Sequence, residues 1–317
     1  MKSINFVIVG GDYYQIAAEL GKKGTSTDLS IYDRKTQDAI YTWTVPITFP
    51  DKIQSLMQAV NLAEYAILYV TKIDKYLGEQ ILALDANNMN EGFILHSYEV
   101  DEKELIKLIK STAASNYKFL GNVDQLKQEI VMLEPKAVDG TRECVIQIDH
   151  TFNVKGVGTV ILGIIKQGAV KTYDQLKILP SGKDVLVKSI QMHDDPVNES
   201  KSPARVGLAV KGVDADDISR GDVLCSPDSS SIKMGTTPII ARFIKNPYYK
   251  GNLTDNQTYI VSLGAQIKPV KMKNSATTNN TIEIIPEKPF VYFLGQPYAL
   301  LKPDNSGTRI IGKGTMM

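Results

Sequence analysis

In the first third of the chain, short apolar runs rich in β-branched and aromatic residues alternate with segments whose apolar positions recur every three or four residues. The runs Ile4 to Val9, Leu29 to Tyr32, Ala39 to Val45, Tyr65 to Val70, Gly92 to Leu95 and Tyr117 to Leu120 predict strands. Tyr14 to Leu20, Lys52 to Leu62, Gly78 to Leu84 and Glu102 to Ser111 predict helices between them, so the order is β-α-β-β-α-β-α-β-α-β, that of a layered α/β domain. A further helical pattern, Val123 to Leu133, leads into Glu134-Pro135 and Asp139-Gly140-Thr141, where the first unit should end.

Beyond that point the period drops to two. Asp184 to Ile190 and Arg205 to Val210 alternate apolar with polar, and Pro180-Ser181-Gly182 and Arg220-Gly221-Asp222 supply turns, which predicts a small closed β-barrel. Within it, Val154-Lys155-Gly156-Val157-Gly158-Thr159-Val160 sets two glycines a residue apart between β-branched runs, as suits a kinked strand or a close backbone approach. After the polar stretch Ser226 to Ser231, the runs Ile239 to Phe243, Tyr259 to Leu263, Gln266 to Met272, Thr281 to Ile285, Pro289 to Phe293 and Arg309 to Ile311 predict a second barrel. The expected units are residues 1–135, 136–228 and 229–317.

Charge changes this picture more than composition does. Residues 1–135 carry 13 Lys+Arg against 18 Asp+Glu, residues 136–228 carry 12 against 13, and residues 229–317 carry 11 against 4. A basic unit beside an acidic one suits a polyanion, because neutralising phosphates releases counterions. Cys144 and Cys225 form no C-x-x-C pair, so a reducing compartment is expected rather than a disulfide framework. No apolar run approaches the roughly 20 residues of a membrane helix, and Met1 to Asn5 shows no signal-peptide pattern; a cytoplasmic monomer without membrane or DNA partners is expected. His96, His150 and His193 stand apart, so no metal site is expected; His193-Asp194-Asp195 should be a solvated loop and Trp43 a core residue.

Read as a string, DHTFNVKGVGTVILGIIKQGAVKTYDQLKILPSGKDVLVKSIQ, RVGLAVKGV and ISRGDVL, within residues 149–224, resemble the second domain of the EF-Tu superfamily, in its SelB-like branch. TRIIGKGTM and KNPYYKGNLTDNQTYIVSLGAQIKPVKM resemble the third domain, and DKIQSLMQAVNLAEYAILYV resembles a helix and strand of the GTPase domain. The resemblance implies a P-loop-type α/β GTPase-like domain followed by two antiparallel β-barrels. It also implies that the partners are a tRNA, plausibly aminoacylated, and the ribosome. Among SelB-like proteins the chain is most similar to methanogen paralogues linked to pyrrolysyl-tRNA, though no residue here reads out that amino acid. The branch's additional RNA-hairpin-binding domain is not expected after the second barrel.

The nucleotide chemistry of that family is missing from the places where it belongs. A working phosphate loop runs G-x-x-x-x-G-K-[ST] after the first strand, since backbone amides hold phosphates, lysine neutralises them and the hydroxyl binds Mg²⁺. Here Gly10-Gly11-Asp12-Tyr13-Tyr14-Gln15 offers no lysine and no serine or threonine, and brings in a carboxylate. Thr44-Val45-Pro46-Ile47-Thr48 retains only Pro46 of the family's D-x-P-G-H turn, and His96-Ser97-Tyr98-Glu99 stands where the base-reading acid belongs, Glu99 being its only mimic. Gly21 to Thr27 follows a helix instead of a strand and reads as a glycine cap with solvated lysines; Thr71-Lys72-Ile73-Asp74 imitates a guanine-reading motif but trails the wrong strand. Neither bound GTP nor Mg²⁺ is expected, and no catalytic residue is assigned.

Carried over residue by residue, the resemblance nominates Lys155, Gly156, Gly158 and Arg205 of the first barrel for tRNA contact. In the second it nominates Thr308, Arg309, Lys313, Lys245 and Lys250. The chain departs from the family at Ala204, where an acid often stands beside the terminal adenosine. Tyr248 and Tyr249 could stack on RNA or cover the barrel end. Two alternatives accompany this reading: a GTP-binding factor that uses Glu99, Lys22 and Thr25, and a regulatory protein that binds a ribosomal or other protein partner and no tRNA.

Overall fold

A computed structural model describes residues 1–136, 143–274 and 280–317. The boundary expected at Asp139-Gly140-Thr141 lies outside the described residues. The first unit contains β1 (Lys2–Gly10), α1 (Tyr13–Leu20), β2 (Lys22–Ser26), β3 (Ser30–Lys35), β4 (Ala39–Val45), α2 (Ile53–Leu62), β5 (Tyr65–Val70), α3 (Lys75–Ala86), β6 (Gly92–His96), α4 (Glu102–Ile109), β7 (Lys118–Phe119) and α5 (Val123–Val131). They form one sheet in the order β2-β3-β4-β1-β5-β6-β7, parallel from β4 to β7 and antiparallel at the β2 and β3 edge.

Period-2 alternation in β1 sorts its side chains between two layers. Val7 and Val9 enter a cluster with Leu56, Val60, Leu77, Ile81 and Leu105 of α2 to α4. Ile4, Phe6 and Ile8 face Ile16 and Leu20 of α1, Leu126 and Ile130 of α5, and Trp43. Trp43 is fully buried and stacks on Phe6 with ring centroids 5.9 Å apart. Burying such a side chain contributes about 1.5–3 kcal/mol each.

The stretch expected as a cap with solvated lysines is strand β2. Its residues are polar and mostly exposed, so no hydrophobic alternation announced it; pairing with β3, with a register shift between Lys23 and Ser26, makes it a strand. Gly21 does close α1, its N–H donating to the Ala17 carbonyl, but with an extended φ of −156°. Its want of a side chain answers to the Asp33 carbonyl oxygen and the Trp43 ring, each of which a Cβ there would meet at 2.7 Å.

The first barrel is built from β8 (Val145–Val154), β9 (Gly158–Gln167), β10 (Ala169–Lys171), β11 (Gln175–Leu179), β12 (Lys183–Met192), β13 (Asp195–Val197), β14 (Glu199–Lys201), β15 (Arg205–Lys211) and β16 (Val223–Cys225). Six of them close through β11-β16-β8-β9-β15-β12, with β12 pairing back to β11. The second contains β17 (Lys233–Gly235), β18 (Ile239–Lys245), β19 (Thr258–Leu263), β20 (Gln266–Asn274), β21 (Thr281–Pro286), β22 (Phe290–Tyr292), β23 (Pro297–Leu301) and β24 (Ile310–Met316). It closes in the order β18-β21-β20-β19-β23-β24. The sequence pattern missed β23, a barrel member that begins on a proline, while the Pro289 to Phe293 run became β22, which pairs with β17 outside the barrel. No helix among the described residues is long and apolar enough to cross a membrane.

One apolar cluster spans all three units. The cluster beneath α2 and α3 continues into Ile164 of the first barrel and Ala265, Ala299, Leu301 and Ile310 of the second. Val145, Val223 and Cys225 pack against Val291 between the barrels, where the Gln266 side chain exchanges hydrogen bonds of 2.7 and 2.9 Å with the Val291 backbone.

Candidate functional site

The crevice beyond β1 is built by a loop with little freedom. Gly10 has φ +120°, and a Cβ there would lie 1.8 Å from the Tyr69 carbonyl oxygen; the Gly11 N–H donates to that same oxygen at 2.8 Å. Asp12 follows in the left-handed region at φ 45°, an arrangement tolerated best by Gly, Asn and Asp. The first turn of α1 has no side-chain cap, and the residues facing it are Tyr13 and Tyr14, with ring centroids 4.7 Å apart. Burial, with the neighbouring Tyr14 adding to it, pushes the Tyr13 hydroxyl up to about 12. A cavity of about 270 Å³ lies between this loop, the end of β5 and the start of α3.

Thr71 to Asp74 borders that cavity, and its acid has a local task. Asp74 caps α3, accepting from the backbone N–H groups of Tyr76 and Leu77 at 2.9 Å each. Burial opposes its charge, but the backbone N–H groups and the Lys72 ammonium outweigh that and hold the carboxyl below its usual range. Glu99 lies past β6 and accepts from the Tyr98 hydroxyl at 3.2 Å. Lys22 and Thr25 lie on β2, across β3, β4, β1 and β5 from β6, about 24 Å away at the usual strand spacing. The structure therefore does not bring Lys22, Thr25 and Glu99 together.

Pro46 is buried after β4, and the connection it begins is gripped from the second barrel. Arg309 donates through Nη1 to the Pro50 carbonyl at 2.6 Å and places its guanidinium 5.6 Å from the Phe49 ring centre. The same side chain pairs with Glu79 of α3 at 2.5 Å. Lys313 donates to Asp85 at the other end of α3 at 2.6 Å. Two of the residues nominated for tRNA contact are thus engaged in holding the α/β unit to the barrel.

A larger cleft, about 500 Å³, opens between the β2–β4 edge and the first barrel, lined by Thr25, Asp33, Thr42, Phe152, Val157 and Arg205 among others. At its base Arg205 donates through Nε and Nη2 to the two carboxylate oxygens of Asp149, both at 2.9 Å, with the Asp149 side chain almost wholly enclosed. Arg205 is therefore a wall element rather than a free cation. The Lys155 to Gly158 segment is the β8–β9 turn at the cleft mouth, neither a kinked strand nor a close backbone approach. Its glycines adopt φ +83° and +99°, with nothing within 4 Å of a Cβ on Gly156. Positive φ is the need they meet. Lys155 is exposed, and the Lys188 ammonium reaches the Val157 carbonyl at 3.0 Å.

The stretch at His193 is an exposed turn, as expected, and it also makes an interdomain contact. His193 adopts φ 50° and sets Nε2 3.0 Å from Asp33 Oδ1, while Asp195 pairs with Lys35. Arg220 completes the joint. It donates to the Asp149 carbonyl at 2.8 Å and to Thr27 at 3.1 Å, and pairs with Asp28. Burial works against the Asp28 charge, but the Arg220 hydrogen bonds and charge prevail and keep its carboxyl below the usual range. Farther in, Lys166 donates to the Asn61 carbonyl near the end of α2 at 2.7 Å, and burial pushes its amine down to about 8 against the opposing charge of Glu64.

None of Arg220, Lys166, Glu79 or Asp85 was singled out from the sequence, because each partner lies more than 100 residues away. The remaining nominees divide. Lys245 donates to the Gly251 carbonyl at 2.8 Å with Tyr249 buried beneath it, whereas Lys250 is exposed and Tyr248 is 64% exposed. Thr308 sits part-buried in the β23–β24 loop, its hydroxyl 3.5 Å from the Ile310 carbonyl.

Comparison with known proteins bears on this geometry. Residues 158–225 match the model for elongation factor Tu domain 2. An uncharacterised protein of Methanocaldococcus jannaschii is 32% identical over 302 residues, covering 95% of this chain and 96% of its own length. The selenocysteine-specific elongation factor of that organism is 29% identical over 240 residues, covering 68% of this chain but only 50% of the factor. Among solved structures, SelB of Methanococcus maripaludis in complex with the GTP analogue GppNHp aligns with a TM-score of 0.84 at 24% identity, over 100% of this chain and 79% of that one.

Proposed function

Because the chain belongs to the EF-Tu/SelB-like family of elongation factors, we propose that it is a translation factor that carries tRNA or aminoacyl-tRNA on its two barrels without a guanine-nucleotide switch. The observation that carries this reading is the contrast between the two crevices of the α/β unit. The cleft against the first barrel is open, about 500 Å³, and is lined by Val154 and Val157, which flank the exposed Lys155 of the β8–β9 turn. The crevice beyond β1 presents Asp12, Tyr13 and Tyr14 in place of the groups that would neutralise phosphate, and its one neighbouring ammonium, Lys72, already pairs with Asp74 at 3.0 Å. That donor set does not fit a nucleoside triphosphate and its metal, so no step through them is derived.

On this reading Lys155 and Lys250 make phosphate contacts, the glycine turn admits the acceptor end, and the ribosome is the further partner. Gel-shift titration of aminoacylated and bare tRNA at several salt concentrations tests it, with filter binding of labelled GTP and Mg²⁺ beside it. Retardation that weakens linearly in log salt, with no nucleotide uptake, is the expected result. Tight nucleotide uptake would return the chain to the switching members of its family. The engagement of Arg205, Arg309 and Lys313 in internal pairs favours a second reading, in which the barrels bind a ribosomal or other protein. Absence of any shift at low salt would support that one.

A further inference from the structure

Between α3 and the β23–β24 loop lies a cavity of about 590 Å³ whose lining includes neither Lys155 nor Lys250, the proposed phosphate contacts. Its size is that of a small-molecule site, roughly 300–1,000 Å³, and it sits at a domain boundary, where such sites concentrate. Leu82 and Leu108 form an apolar floor, and Tyr76 and Tyr248 stand at the walls with 36% and 64% of their surface exposed.

Gly78 explains itself only through this space. It lies inside α3, where glycine costs about 1 kcal/mol relative to alanine. A Cβ on it would meet no atom within 4 Å, so packing within the protein does not require the glycine. What a side chain there would do is enter the cavity.

The charges decide what could fill it. Glu79 and Arg309 neutralise each other, which leaves Asp51, Asp304 and Lys75 without an ion pair among the described residues. Two carboxylates against one ammonium give the cavity a negative field, and aromatic faces attract cations. The Lys75 ammonium already lies 4.9 Å from the centre of the Tyr76 ring, a tethered cation on the face that a ligand would use.

We propose that this cavity binds a small organic ammonium ion: a hydrocarbon body on Leu82 and Leu108, with protonated amines directed to the tyrosine faces and to Asp51 and Asp304. The site is independent of tRNA and of guanine nucleotide.

Isothermal titration of the full chain, free of tRNA, with spermidine tests the proposal. Saturable uptake is expected. Gly78→Leu should weaken it at least ten-fold while the melting temperature stays at or above that of the wild type, since leucine favours the helix. Asp304→Asn, an exposed change, should weaken it about three-fold, and Lys75→Gln should strengthen it about three-fold by removing the competing cation. No saturation by about 10 mM spermidine, or a Lys75→Gln variant that binds more weakly, would overturn the proposal; so would affinity left intact in a folded Gly78→Leu protein. If Gly78→Leu fails to fold, the opposite signs at Asp304 and Lys75 decide.

Discussion

Arg309 and Glu79, 230 residues apart in the chain, meet in a forked pair in which Nε and Nη2 both reach the carboxylate, with 12% and 7% of their side chains exposed. Through Nη1 the same guanidinium also holds the Pro50 carbonyl, so one side chain of the second barrel fixes both α3 and the connection between β4 and α2.

Removing one member of an enclosed pair strands the other. Glu79→Ala should therefore cost about 3 kcal/mol or more in urea unfolding, whereas the double change Glu79→Leu with Arg309→Met should recover much of that loss. A loss in the double variant equal to the sum of the losses in the two single variants would show that the pair is not coupled.

Lys166 predicts a pH dependence of definite sign. Burial pushes its amine down to about 8 in the folded protein, from 10.5 for a free lysine. Between those values the unfolded chain holds a proton that the folded chain has released, so the contribution of this group to stability rises with pH, by at most about 1.4 kcal/mol per unit. The buried thiols Cys144 and Cys225, raised by burial to about 12 and about 11, act in the opposite direction above 9, the ordinary thiol value. The measurement is therefore a difference: wild type should gain on Lys166→Met between pH 8 and 10 in denaturant melts, and a flat difference would contradict the assignment.

Asp74 discriminates between capping and base recognition. As the cap of α3 it should cost about 1 kcal/mol on replacement by alanine. If it read a guanine base, Asp74→Ala would instead abolish nucleotide uptake with little change in melting. The first outcome is expected, and calorimetry beside nucleotide titration separates the two.

The proposed tRNA contacts have a distinct signature. Lys155→Gln and Lys250→Gln should each weaken tRNA binding evenly across tRNA species and lower the log–log salt slope by about one. Arg205→Gln should show itself first in stability, because it leaves the enclosed Asp149 carboxylate without its partner.

Much of the architecture was legible in local pattern. Ala39 to Val45 and Tyr65 to Val70 are strands with the expected ends, the helical spacing of Lys52 to Leu62 became α2, and two barrels follow the α/β unit. These are features of neighbouring residues, since a strand or helix is patterned by side chains two to four positions apart. The lack of a lysine and of a serine or threonine after β1 was equally plain.

Where Arg309, Lys313, Arg205 and His193 direct their side chains could not be read that way. From the sequence they are surface cations or a loop histidine; in the fold each meets a carboxylate from a distant element. The polar strand β2 shares that origin, because an edge strand with no buried face acquires its identity from the partner it pairs with. Periodicity reports which face of an element is apolar. Only the tertiary fold, within the first barrel for Arg205 and across the docked units for Arg309, Lys313 and His193, determines which charges face each other, and so which cations remain free to bind a partner.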